Sequence, residues 1–367
     1  MRVYLDWNAT SQPLPEVIDA MMAAARSAWA NPSSVHGDGR AARAVVEAAR
    51  AEVGALASAN PRDVVFTAGA TESNNLALVS AMHARQGRLI TSRLEHPSIT
   101  RVAERYEAEG RTRWLRVLGC GTVDLEDLER ALAEAPAAAI AMQAVNHETG
   151  MIQPVAEVVA LAKLADAWVH VDAAQAFGKV DDIAGDAHSR SIAPHKFRGP
   201  KGIGALVLRP FTKLTAVLVG GAQERGVRPG TVDAALAAGF GAAARHALTG
   251  PARFRAVAAR RDRFEAALVA LGAAVNGAGA RAPHVSSLAW QGWRGPELVA
   301  ALDLEGVSCS SGSACSAGTA EPSPVISAMS NAVVAGSSVR VSMGDATTDD
   351  ELARAERAFA SVVSRVK

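Results

Sequence analysis

Between residues 64 and 208 short apolar runs alternate with helical stretches, and this limits the fold more than any other feature of the 367 residues. Residues 64–67, 88–91, 112–117, 138–145, 168–172 and 204–208 read as strands. Residues 72–85, 99–109, 125–133 and 155–165, between them, read as helices. Continuously apolar strands joined by helices predict a mostly parallel sheet covered on both faces. Ahead of this block, 3–6 is a short strand or arm, and 16–29 and 39–56 are Ala-rich helices. After it, a helix over 234–246 ends at Thr249-Gly-Pro251. A smaller α+β unit follows, with a strand at 285–290, a helix at 297–304, a Gly/Ser/Cys-rich loop, a strand at 338–342 and a last helix from Asp349. The first dozen residues are expected to return to that unit. The expected division is a large domain over 14–250, with 1–13 and 251–367 forming a small one.

Composition excludes several classes of protein. A formal charge of +1 leaves no electrostatic footprint for nucleic acid or an anionic membrane. Arg253, Arg255, Arg260, Arg261 and Arg263 fall at helical spacing among apolar residues and read as one solvated helix face. Three cysteines (Cys120, Cys309, Cys315) suit neither a disulfide framework nor a zinc site, so no metal is expected. With no leader-like N-terminus and no long apolar run, the expectation is a soluble, cytoplasmic protein without a membrane partner.

Chemistry concentrates at the strand ends. The strand 168–172 closes on Asp172, and 24 residues later His195-Lys196 precedes a Gly/Pro-rich turn. An anchored amine there can condense with an aldehyde, and a carboxylate can hold a protonated ring nitrogen. Together they turn pyridoxal phosphate into an electron sink. Residues 66–75, Phe66-Thr-Ala-Gly-Ala-Thr71-Glu-Ser-Asn-Asn75, read as a strand, a small-residue turn and a helix start. The turn suits either an anionic phosphate or an ordinary capping box. His96 and the 145–150 segment also follow strands, so their side chains belong to the same sheet edge. The glycine-rich loop 220–231 reads as a binding or subunit-contact segment, or as a flexible surface loop. Cys315 lies among Ser, Gly and Ala, the wrong surroundings for a core thiol, and reads either as a nucleophile or as an incidental exposed thiol. Cys309, at a strand end, reads as packed.

Taken together, these residues resemble the cysteine desulfurases of the nitrogen-fixation and iron–sulfur-cluster type, within the class V aminotransferase group. The resemblance runs through residues 4–10, 31–36, 69–75, 95–96, 146–150, 171–175, 195–196, 199–202, 223–226, 228–231, 311–315 and 339–342. It implies an α/β chain of the pyridoxal-phosphate-dependent transferase fold type I. That fold has a mostly parallel seven-stranded sheet with helices on both faces, plus a smaller α+β domain carrying the cysteine loop. It implies that Lys196 bonds pyridoxal 5'-phosphate and moves protons, that Asp172 pairs with the ring nitrogen and that Gln175 bonds the phenolic oxygen. His96 would stack on the ring and act as an acid–base group. Thr71 and His195 would hold the phosphate, with Thr231 reaching it from the second subunit of a homodimer, and Ala70 would also contact the cofactor. Arg340 would clamp the substrate carboxylate, Asn8 would also bind substrate, and Cys315 would take sulfur from L-cysteine, leaving alanine. A sulfur-acceptor protein, either an iron–sulfur scaffold or a thiolation factor, is the expected partner. The chain stops soon after its last helix, so scaffold contacts made through a longer C-terminal tail are not expected.

The chain departs from the family pattern at two positions. His147 stands where the family has a second cofactor-contacting asparagine, and is expected to replace it at the ring or its phenolic oxygen. Ala193 stands where the family has a phosphate-binding serine, a loss of roughly 1.5–3 kcal/mol of charged hydrogen bonding. Other readings are a related lyase acting on selenocysteine or cystine, an aminotransferase, or a non-enzymatic scaffold relative. The cysteine loop favours the desulfurase, because the other enzymes need no nucleophilic thiol.

Overall fold

The computed structural model describes residues 2–181, 185–312 and 322–365. Its first strand, β1 (Val3–Tyr4), precedes α1 (Pro15–Ser27) and α2 (Gly37–Leu56). The alternating block then runs β2 (Val64–Thr67), α3 (Ala70–Ala84), β3 (Arg88–Ser92), α4 (Pro97–Glu107), β4 (Thr112–Leu115), α5 (Leu125–Glu134), β5 (Ala137–Gln143), α6 (Val155–Leu164) and β6 (Trp168–Asp172). Two further strands, β7 (Ser189–Ile192) and β8 (Gly204–Leu208), complete a seven-stranded sheet of order β2-β8-β7-β6-β5-β3-β4. All neighbours are parallel except β8, which runs antiparallel to both β7 and β2. The β7–β8 connection is too short for a helical crossover, so the chain turns straight back. Lys196 sits on that turn.

Burial follows the two-residue strand repeat on both faces. Phe66, Ile90, Ile140, Val169 and Val207 pack on one side with Val17, Val46, Val53 and Phe240. Val65, Leu89, Ala139, Trp168 and Leu206 pack on the other with Leu76, Met82, Ile99 and Tyr106. No strand is expected from the polar 189–192, yet all four of its residues are buried. Ser189 and Ser191 answer buried polar groups on β6, which pays for a polar strand in a sheet interior.

Thr249-Gly-Pro251 does not simply close α7 (Ala234–Ala247), because Pro251 opens α8 (Gly250–Ala270) in the first turn. Beyond it lie β9 (Ala273–Val275), β10 (Val285–Trp290), α9 (Gly295–Leu304), β11 (Val307–Ser308), α10 (Pro324–Met329), α11 (Ala332–Gly336), β12 (Ser338–Ser342) and α12 (Asp349–Val363). A three-stranded sheet, β12-β10-β9, and the separate pair β1-β11 share one core. There Val3 and Leu5 join Phe254, Phe264, Leu288, Val339 and Phe359. The first residues do return to the C-terminal unit, with Val3 opposite Val307. No helix among the described residues is long and apolar enough to cross a membrane.

Candidate active site

A cleft of about 640 Å³ opens at the edge where β2, β5 and β6 end and β8 begins. Ten of the site residues expected from sequence line it: Asn8, Ala70, Thr71, His96, His147, Asp172, Gln175, His195, Lys196 and Arg340. Ala193 lines it too, without a hydroxyl. Thr231 is exposed and is not among the lining residues of its own chain. Cys315 lies outside the described residues.

The capping-box reading of the 66–75 turn fails. Gly69 is the N-cap of α3, and no side chain caps that helix. Its first amides and the positive end of its dipole are left to a ligand in the cleft. Gly204 makes the close turn possible. A Cβ there would lie 2.5 Å from the Gly69 Cα. The 220–231 loop is anchored rather than loose. Glu224 Oε2 accepts from Arg50 and from the Phe66 N–H at 2.7 Å, and Arg228 pairs with Glu72 at 2.9 Å.

Asp172 is held from three sides. Its Oδ1 accepts from the Ala174 N–H at 3.0 Å and from Ser191 Oγ at 3.2 Å, and its Oδ2 accepts from Asn74 Nδ2 at 2.8 Å. Asn74 is completely buried and uses its whole carboxamide. The same nitrogen donates to Ser98 Oγ at 2.8 Å, and its oxygen accepts from His170 Nε2 at 2.8 Å. Ser98 passes the order on, because its hydroxyl and its N–H both face His96 Nδ1, at 2.8 and 3.1 Å. That network assigns the proton of His96 to Nε2. One asparagine therefore fixes both the carboxylate and the imidazole. Burial lowers the His170 imidazole to about 4, against the pull of Asp172, so it serves as a neutral donor.

Lys196 Nζ donates to the carbonyls of Asn8 at 2.6 Å and Ala9 at 3.0 Å. Gln175 Nε2 reaches the same Asn8 carbonyl at 3.0 Å. The Asn8 side chain is held at both ends, accepting from His284 Nε2 at 2.9 Å and donating to the His147 carbonyl at 3.1 Å. His147 is buried, with its ring 5.5 Å edge-to-face from His96. Burial holds its imidazole well below the usual histidine range, and His96, Arg340 and Lys196 add to the effect. Burial and Lys196 likewise lower His195 to about 3, leaving a neutral ring 3.2 Å from Thr10 Oγ1. Arg340 donates to the His147 carbonyl at 2.9 Å and to Asp6 at 2.6 Å, while its buried Nε has no hydrogen-bond partner among the described residues. As expected, Cys309 is packed, and burial pushes its thiol up to about 12.

Sequence reasoning missed the supporting residues Asn74, Ser98, His170, His284 and Asp6. One signal was available for His170. Two polar residues at alternate positions of an apolar strand, His170 and Asp172, share a face and need buried partners.

The chain belongs to the class-V aminotransferase family, whose model matches residues 3–354. Among curated relatives it is similar to a cysteine desulfurase of Bradyrhizobium diazoefficiens, 37% identical over all of this chain and 95% of that protein. The cysteine desulfurase NifS of Azotobacter vinelandii is 36% identical over 100% of this chain and 93% of its own length. Among solved structures, a NifS-like protein superposes with a TM-score of 0.92 at 28% identity, covering 100% of both chains. DndA from Streptomyces lividans gives 0.78 at 31%, covering 92% of this chain and 98% of that one.

Proposed function

We propose that this protein is a pyridoxal-phosphate-dependent cysteine desulfurase, converting L-cysteine to L-alanine and passing the sulfur to Cys315 for iron–sulfur assembly or thiolation. The observation that carries the reading is one cleft holding three complementary groups. The uncapped first turn of α3 suits a phosphate, the Asp172 carboxylate a protonated ring nitrogen, and the Lys196 amine an aldehyde. The donor set fits that cofactor, since Thr71 and His195 line the phosphate end and Gln175 offers an amide beside Lys196. When bound, pyridoxal phosphate supplies an electron sink for the bonds at the substrate α-carbon.

The chain's own groups do the rest. His96, with its Nε2–H, and His147 would hold the ring, Arg340 would bind the substrate carboxylate, and Asn8 would contact the substrate beside it. Lys196 moves protons at the α- and β-carbons. The Cys315 thiolate attacks the substrate sulfur, so that an S–S bond forms as the carbon–sulfur bond breaks. The freed carbon takes a proton, leaving alanine and a persulfide on the enzyme. The role of Cys315 rests on the sequence pattern alone.

We read the unit formed by 1–13 and 251–367 as the domain carrying that loop, packed beside a large domain over 14–250. The working form is a homodimer in the cytoplasm, with Thr231 completing the phosphate site of the partner and a sulfur-acceptor protein receiving the product. To test the cofactor reading, the protein is mixed with pyridoxal phosphate, reduced with borohydride and peptide-mapped. The reading expects the cofactor on Lys196; a map with Lys196 unmodified overturns it.

A further inference from the structure

Lys179 has no part in the chemistry above, yet it is only 2% exposed. It follows Gly178, whose φ of +72° turns the chain where a Cβ would meet Ala247 at 2.9 Å. It lines a small pocket with the apolar Trp7, Phe197, Phe254 and Met343, whose polar lining is Lys196, Arg198, His246, Arg253 and Asp345. Packing alone would favour methionine at such a position, because an amine is costly to desolvate. The amine has one hydrogen-bond acceptor among the described residues, Gln175 Oε1 at 2.8 Å. Gln175 lies four residues earlier and lines the cleft that Lys179 does not reach. Its Nε2 spends one hydrogen on the Asn8 carbonyl, at 3.0 Å. With the oxygen held at the back and one N–H fixed, the second N–H is the remaining polar group of that carboxamide.

We propose that Lys179 is a positioning residue: it holds the Gln175 oxygen away from the cleft, so that the carboxamide offers an N–H, never a carbonyl, to the anionic ring oxygen of the cofactor. The inference rests on the pyridoxal-phosphate reading. A rotated amide would set two oxygens against each other, and the hydrogen bond at stake is to a charged acceptor, the stronger kind. Burial, with the nearby Lys196 and Arg340, holds Lys179 well below the usual lysine range. Of the other groups it faces, His284 is also held well below its usual range by burial.

The test is a double-mutant cycle on the Kd for pyridoxal phosphate, read from its near-visible absorbance in wild type, Lys179→Met, Gln175→Met and the double variant. Thermal midpoints of the cofactor-free proteins are measured alongside. Lys179→Met is expected to weaken cofactor binding about tenfold and to shift the absorbance band, with no fall in midpoint. In the Gln175→Met background the same change is expected to have less than about twofold effect, because the coupling runs through Gln175. Lys179→Gln, which keeps a shorter donor, is expected to fall between wild type and Lys179→Met. An unchanged Kd and spectrum in Lys179→Met, or a full tenfold loss in the Gln175→Met background, overturns the proposal. Wild-type protein that gains no absorbance overturns the cofactor reading itself, and this inference with it.

Discussion

Replacing Asn74 by alanine removes a side chain that makes three buried hydrogen bonds of 2.8 Å. The magnitude follows from which partners are left without an alternative. Asp172 keeps the Ala174 N–H and Ser191 on Oδ1, but Oδ2 loses the Asn74 N–H. Ser98 still donates to His96, whereas the His170 Nε2–H loses its acceptor inside a wholly buried site. Two groups are thus orphaned, at about 1–3 kcal/mol each, giving a stability loss of about 2–6 kcal/mol. Asp172 lines the cleft, where water can reach it, so the lower half of that range is expected. The assay is urea denaturation followed by circular dichroism, in which the midpoint falls at unchanged slope. Cofactor absorbance should fall as well, since Asp172 and His96 both lose their orientation. A loss below about 1 kcal/mol with an unaltered spectrum would refute the idea that Asn74 organises the site.

Gly204→Ala puts a methyl group 2.5 Å from the Gly69 Cα, so the α3 turn must shift; inorganic phosphate should protect the variant less than wild type against thermal unfolding. Burial lowers His170 and His188 to about 4 and His195 to about 3, and keeps His147 and His284 well below their usual range. Such groups take up protons on unfolding, so each contributes stability that is lost as pH falls from about 6.5 toward 4, at up to about 1.4 kcal/mol per pH unit. Glu95, pushed well up by burial and by Asp172, offsets one of them. Urea midpoints should therefore drop between pH 7.5 and 5, and a flat or rising profile contradicts the assignment. With its thiol near about 12, Cys309 is roughly one part in ten thousand thiolate at pH 8, so Cys309→Ala should leave the alkylation rate of the protein unchanged.

The sheet was legible because its strands are apolar and its helices are periodic. The strands at 64–67, 168–172, 204–208, 285–290 and 338–342 are found with the bounds read from sequence. The seventh strand was not legible as such, because Ser189-Arg-Ser-Ile192 carries no apolar pattern. Its place depends on side-chain partners on β6 and beyond, such as Arg190 donating to the Ala57 carbonyl. Site residues at strand ends could be read because a strand's C-terminal end fixes where its next side chains lie. Supporting residues could not, because Asn74 and His284 act through contacts spanning 98 residues to Asp172 and 276 to Asn8, and no local pattern encodes those. The capping-box alternative fails for a different reason. Thr71-Glu72-Ser73 has the composition of a cap but starts two residues inside the N-cap position, which Gly69 holds.

The proposed reaction transfers sulfur from L-cysteine to Cys315 at this cleft. Its most direct test supplies the protein with pyridoxal phosphate and L-cysteine and a reductant, and measures alanine and sulfide in wild type and Cys315→Ala. Equal molar yields of alanine and sulfide from wild type, both lost in the variant, are the predicted result. Full sulfide output from Cys315→Ala, or no alanine from wild type, would contradict it.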